Sequence, residues 1–259
     1  MDFRADVLQG KVAVVTGASR GIGAAIADCF LEAGVSGLVL ISREQTEFVH
    51  QLRKRAELKG SRVGFYSLEL EDTAAVERCA EQILQDWSQV DILVNNAGLA
   101  LLNPLTELSI GEWERTMAVN VRAPFLLARK FVRESMIPRG VGGKIINISS
   151  VASLGGVSEH AAYCSSKAAL NSLTKTMAIE WGPYGIQCNV VCPSIIMTDM
   201  GRQVWEDPEK HGPVLARVPI GRFANPPEIA RVVLFLASPE NCVVNGQCIA
   251  PDGGYTAGL

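Results

Sequence analysis

The sequence predicts an α/β fold, a doubly wound parallel sheet of about seven strands with helices on both faces. Short apolar, β-branched runs alternate with helical periodicity at about thirty residues per unit. A glycine turn follows the first run and opens the first helix. The motifs rich in polar residues and glycine fall at the carboxyl ends of the runs, where ligands of such sheets bind.

Residues 11–16 are the first strand, followed by Gly17, Ala18, Ser19, Arg20, Gly21, Ile22 and Gly23, and by an Ala-rich helix to about residue 32. This order lets main-chain N–H groups and a helix dipole face a pyrophosphate. Gly17 permits a tight turn, and Gly21 and Gly23 permit close approach of ligand and chain. Residues 37–42 are the second strand. At its end, where a carboxylate would read the ribose of NAD, stand Ser42 and Arg43, with Arg20 in the glycine turn. Two cations converging there suit a 2′-phosphate, so NADP(H) is expected, with NAD(H) kept open by Glu44.

A helix over 44–58, a strand over 62–68 and a helix over 73–87 follow, with Glu69 and Leu70 placed to border an adenine. Residues 91–98 are a fourth strand closing on Asn95, Asn96, Ala97 and Gly98. A helix over 112–136 carries Asn120. Residues 143–149 form a strand ending at Ser150, and the next helix carries Tyr163 and Lys167 four apart, on one face. An adjacent ammonium favours the phenolate and is expected to lower the phenol's pKa into reach of acid–base work. Ser150 can hydrogen-bond a substrate oxygen in the same crevice. Residues 186–191 are the sixth strand, 226–236 the last helix and 246–250 the last strand. Residues 194–225 read as a substrate lid within one domain spanning 1–259.

Composition narrows the function. Hydrophobic residues at 48% and charged ones at 20% of 259 residues allow a sizeable core. A net charge of −3 offers no basic excess for nucleic acid. The apolar runs are too short for a bilayer, and the first residues lack a basic-then-apolar leader, so no membrane partner and a cytoplasmic location are expected. The seven cysteines have no paired Cys-x-x-Cys and read as reduced, mostly buried residues. The three histidines lack metal-ligand spacing, and no metal is expected. Ala161, Ser165, Ala168 and Ser172 form a small-residue stripe on the catalytic helix, suited either to a partner helix or to a contact within the chain.

Thr16-Gly17 with Gly21-Ile22-Gly23, the Asn95–Gly98 run, Asn120, Ser150 and the Tyr163/Lys167 pair together resemble the short-chain dehydrogenase/reductase family over essentially the whole chain. The resemblance implies a Rossmann-type domain and hydride transfer at a nicotinamide. Tyr163 would be the acid/base, Lys167 would lower its pKa and bind the nicotinamide ribose, Ser150 would orient the carbonyl, and Asn120 would hold a relay water. It also implies cofactor contacts from Pro193, Ile196 and Thr198. Two departures stand out: Ser194 follows Pro193 where the family commonly has glycine, and Glu69 replaces an aspartate. Residues 97–102, 139–143, 198–201, 205–208 and 219–224 resemble the dicarbonyl/L-xylulose reductase subgroup, which implies small α-dicarbonyls or ketoses as substrates and a homotetramer, with a dimer possible. The rival is a 3-oxoacyl carrier-protein reductase, which needs basic residues where Val141 and Tyr184 stand. A non-catalytic dinucleotide-binding regulator is the reading from another class.

Overall fold

The computed structural model describes residues 6–198 and 208–258, with side chains from 212 onward in the second stretch. Its strands are β1 (Val12–Thr16), β2 (Gly37–Ser42), β3 (Arg62–Ser67), β4 (Ile92–Asn95), β5 (Gly143–Ile148), β6 (Ile186–Val191) and β7 (Cys248–Ile249). They form one parallel sheet in the order β3-β2-β1-β4-β5-β6-β7. The chain winds outward from β1 in one direction and from β4 in the other, so a crevice opens beyond the carboxyl ends of these two strands.

The sheet is covered on both faces because successive residues of a strand point to opposite sides. Ala13 and Val15 of β1 pack with Ile26, Phe30, Val49, Leu52, Ile229 and Val233. Val12 and Val14 pack on the other side with Val76, Ile83, Leu127, Phe131 and Met177. The helices that supply these residues are α1 (Gly21–Glu32), α2 (Glu47–Leu58) and α9 (Pro226–Ala237) on the first face, and α3 (Thr73–Trp87), α5 (Ala123–Phe131) and α7 (Ala161–Trp181) on the second. Strands buried on both sides read as continuous apolar runs, which is why they were legible.

Several boundaries differ from expectation, the larger ones for local reasons, and the fourth strand, expected over 91–98, is only Ile92–Asn95. The helix expected over 44–58 starts at Glu47, because Thr46 is extended and its hydroxyl donates to the Ser19 carbonyl at 3.0 Å. The helix expected over 112–136 is a longer run, α4 (Ile110–Met117), α5 and α6 (Ile137–Arg139), joined by π-helical turns at Ala118–Arg122 and Val132–Met136. A Ser109/Glu112 capping box starts it and a left-handed Gly140 ends it. The last strand is only Cys248–Ile249, because side-chain amides replace ladder bonds before it: Asn245 Oδ1 accepts from the Cys188 N–H at 2.8 Å, and Asn189 Oδ1 from the Gln247 N–H at 3.1 Å. The strand expected to reach 149 stops at Ile148. Of the expected lid, residues 199–207 lie outside the described residues; beyond them α8 (Pro208–Leu215) forms, and Ile196 bridges to Ala224 where the segment's two ends meet.

Candidate active site

The glycine turn is set by contacts with the end of β4. Gly17 has φ +65°, and a Cβ there would lie 2.9 Å from the Ala97 Cα. A Cβ at Gly23 would collide with the Gly17 carbonyl. The Thr16 hydroxyl accepts from the N–H groups of Asn96 and Ala97, both at 3.0 Å. Asn96 Nδ2 donates back to the carbonyls of Thr16 at 2.9 Å and Gly17 at 3.3 Å. The Asn96 amide therefore holds the turn, and Thr16, which sequence reasoning left out of the site although it adjoins Gly17, is its counterpart. No side chain caps α1, so its first N–H groups face the crevice. Ile22 packs toward the core.

A cavity of about 480 Å³ runs from this turn across the ends of β2 and β3. At one end the hydroxyls of Ser19 and Ser42 meet at 2.8 Å, flanked by the exposed Arg20 and Arg43 and by Glu44. Glu69 and Leu70 form one wall, and Asn96, Ala97 and Gly98 another. Thr198 sits against the turn, since a Cβ on Gly21 would lie 3.3 Å from its methyl carbon. Ile196 and Pro193 are buried; the Pro193 carbonyl accepts from the Val151 N–H at 3.0 Å and so braces the Ser150 turn.

Ser150, Tyr163 and Lys167 converge next to Gly98. Ser150 ends β5 in extended backbone, φ −162°, and its hydroxyl accepts from the Ala152 N–H at 3.1 Å. It lies near enough to the Tyr163 phenol to favour the phenolate. Lys167 is 3% exposed, and its Nζ donates to the Ile148 carbonyl at 2.8 Å. A Cβ on Gly98 would lie 3.4 Å from that Nζ and 3.6 Å from Asn120 Oδ1, so the missing side chain leaves room between the cavity and the lysine. The π turn carries Asn120 to a fully buried position. There Nδ2 donates to the Leu99 carbonyl at 2.8 Å and to Ser166 Oγ at 2.9 Å, while Oδ1 accepts from the Leu99 N–H at 2.8 Å. Asn120 thus ties the loop after β4 to the catalytic helix. Ser166, missed from sequence, is the helix-side anchor.

The electrostatics correct one expectation. Burial raises the Tyr163 phenol above its ordinary value, and the neighbouring Ser150 hydroxyl only partly offsets this. Lys167 does not lower it in the chain alone, standing 5.7 Å from the ring centroid. Burial instead lowers Lys167 itself, from 10.5 to about 8. Desolvation disfavours both charged forms and is the largest cause of each shift.

Other expectations resolve unevenly. Of the cysteines, Cys188 and Cys192 are buried, four are partly buried and Cys242 is exposed; all seven are free. Ser165, Ala168 and Ser172 are exposed, so the small-residue stripe is not a core contact within the chain. His160 lies beside the site, its ring 6.2 Å from that of Tyr163. Among the described residues no cluster of three or more His, Cys, Asp or Glu could hold a metal, and no helix is long and apolar enough to cross a membrane.

Comparison with known proteins agrees with this geometry. Residues 17–256 match the family described as enoyl-(acyl carrier protein) reductase. The chain is 39% identical to the L-xylulose reductase of Bos taurus over 257 residues, covering 99% of this chain and 100% of that one. It is 38% identical to the NAD-dependent glycerol dehydrogenase of Listeria innocua over 251 residues, covering 95% and 94%. Among solved structures, a gluconate 5-dehydrogenase from Burkholderia cenocepacia in complex with NADP and tartrate superposes with a TM-score of 0.89 at 34% identity, covering 98% of this chain and 99% of that one. Similarity of this extent, in sequence and in fold, establishes that the chain belongs to the short-chain dehydrogenase/reductase family.

Proposed function

We propose that the chain reduces the carbonyl of a small ketone, α-dicarbonyl or ketose sugar with NADPH, and oxidises the alcohol in reverse. The carrying observation is the convergence of the Ser150 hydroxyl and the Tyr163 phenol beside the buried Lys167 ammonium, at the carboxyl end of β5. The relatives named for xylulose, glycerol and gluconate support a polyol or ketose substrate.

The crevice fits a dinucleotide: uncapped helix N–H groups, close-approach glycines and a long cavity are what a pyrophosphate and two nucleosides need. When bound, the reduced nicotinamide supplies the hydride. Ser150 donates a hydrogen bond to the carbonyl oxygen, and Tyr163 gives its phenolic proton to that oxygen as charge develops there. Lys167, protonated below about 8, stabilises the phenolate that remains. Asn120 holds the loop beside Gly98 against the catalytic helix. Ser19, Arg20, Ser42 and Arg43 take a 2′-phosphate, with Glu44 leaving NAD(H) as a second cofactor. Glu69 and Leu70 border the adenine, and Pro193, Ile196 and Thr198 face the nicotinamide end.

The measurement that tests this is stopped-flow loss of NADPH absorbance with diacetyl or L-xylulose. Tyr163→Phe should slow it at least about 100-fold; an undiminished rate would refute the role. Acetoacetyl thioesters in the same panel address the acyl-carrier reading, which the exposed, uncharged Val141 and Tyr184 disfavour. Activity with any of these substrates separates an enzyme from a regulator that only binds the dinucleotide. One domain with a lid over 194–225 completes the reading, and the exposed Trp113, Phe125 and Ile179, with the exposed small residues of α7, support a homotetramer. Seven free thiols, one exposed, suit the reducing cytoplasm.

A further inference from the structure

We infer that Asn171, acting through Ser153, is a positioning residue that locks the Ser150 turn onto the catalytic helix. Asn171 lies on α7 four residues beyond Lys167 and eight beyond Tyr163, on the same side of the helix. It is 7% exposed, and its Nδ2 donates to Ser153 Oγ at 2.8 Å. Ser153 Oγ in turn donates to the Ser150 carbonyl at 2.5 Å, and the Ser153 N–H reaches the same carbonyl at 3.0 Å.

The chain of contacts links two elements that must be in register. Ser150 hangs from the end of β5, while Tyr163 and Lys167 ride on α7. Any slide of the helix along the sheet changes the distance between the group that holds the substrate oxygen and the group that protonates it. The Pro193 carbonyl braces the turn from the β6 side through the Val151 N–H; α7 is tied to the end of β5 by the Lys167–Ile148 and Ser149–Lys167 hydrogen bonds, and the Asn171–Ser153 contact extends that tie beyond Ser150 into the turn itself. Asn171 Oδ1 is itself buried without a partner. An orphaned buried acceptor costs stability, and an apolar residue of like size would avoid that cost. A structural filler explains the site poorly; a required donor explains it well.

The inference rests on the roles proposed above for Ser150 and Tyr163, so Tyr163→Phe is the control. The variants are Asn171→Leu, Ser153→Ala and their combination, each checked for thermal melting and for NADPH binding by fluorescence. Either single change should lower kcat about tenfold or more with the affinity for NADPH unchanged. The basic limb of the kcat profile that belongs to Tyr163 should move up, because a Ser150 released from its turn no longer favours the phenolate. The double variant should be no slower than the worse single one, since both break one chain. Ser153→Ala is the smaller change and keeps the test open if Asn171→Leu does not fold. A normal kcat with an unmoved limb in folded Ser153→Ala, or losses that multiply in the double variant, would overturn the inference. If Tyr163→Phe retains full activity, the proposed reaction itself fails.

Discussion

The Lys167 ammonium lies 5.7 Å from the centroid of the Tyr163 ring, in a pocket where burial raises the phenol and lowers the amine to about 8. The acid therefore keeps its proton well into alkaline solution, and the ammonium loses its charge first. For carbonyl reduction, kcat/KM should fall as pH rises through about 8, reporting the free enzyme's lysine. Lys167→Arg, whose guanidinium stays charged, should move that limb upward even if the rate is lower. A pH–rate profile checks this; an identical limb in both proteins would assign it to another group.

The same lysine predicts a stability effect. Its folded value is depressed from 10.5 to about 8, so the unfolded chain binds more protons between these values and stability rises with pH across that window. The contribution is lost as pH falls through about 8. A shift of this size corresponds to roughly 3 kcal/mol, and leaving the buried Ile148 carbonyl without its donor costs about 1–3 kcal/mol. Lys167→Met should therefore stabilise the protein at pH 7 by at most roughly 2 kcal/mol while abolishing turnover. Urea melts at pH 7 and pH 10 test it: the difference between variant and parent should shrink at the higher pH.

Much of this site was legible because its parts are local. The turn from Gly17 to Gly23 and the four-residue spacing of Tyr163 and Lys167 are written in adjacent residues, and strands buried on both faces announce themselves as apolar runs. What escaped depends on packing at a distance. The π turn over Ala118–Arg122, which buries Asn120, adds one residue to a helical turn without changing its apolar pattern. The direction of the Tyr163 shift is set by desolvation, opposed by the Ser150 hydroxyl, and desolvation sums over tertiary neighbours that no spacing reveals. Ser153 and Asn171, eighteen residues apart, meet only once β5 and α7 are packed.

Two glycines with opposite surroundings make a paired test of the turn. A methyl at Gly23 has no room, pressed on the Gly17 carbonyl and the Asn96 amide, so Gly23→Ala should cost about 1–3 kcal/mol and weaken cofactor binding. Gly111, in the first turn of α4, has nothing within 4 Å of its added Cβ and no positive φ. Gly111→Ala should stabilise by about 0.5–1 kcal/mol and leave kinetics untouched. Denaturant titration with parallel NADPH binding distinguishes the two; a tolerated Gly23→Ala would mean that the turn yields more than its contacts suggest.

Cofactor choice is predicted to reside in the charges at the end of β2. Arg20 and Arg43 are exposed beside the Ser19–Ser42 hydroxyl pair, and the Arg43 carbonyl accepts from Ser67 Oγ at 2.8 Å, which fixes the backbone there. A guanidinium on a fixed backbone can meet a 2′-phosphate with paired N–H groups, whereas a ribose hydroxyl gains little from it. Arg43→Asp replaces that attraction by repulsion and adds a carboxylate able to accept from a 2′-hydroxyl. The variant should raise KM for NADPH at least about tenfold, lower or leave that for NADH, and change kcat little, because Arg43 is remote from Ser150 and Tyr163. The Ser67–Arg43 bond is made by a backbone carbonyl and survives the substitution, so loss of fold does not mimic the effect. Initial rates with both cofactors measure it. Equal changes in the two KM values would show that the phosphate is read elsewhere, and an unchanged NADPH KM would leave Arg20 as the discriminating cation.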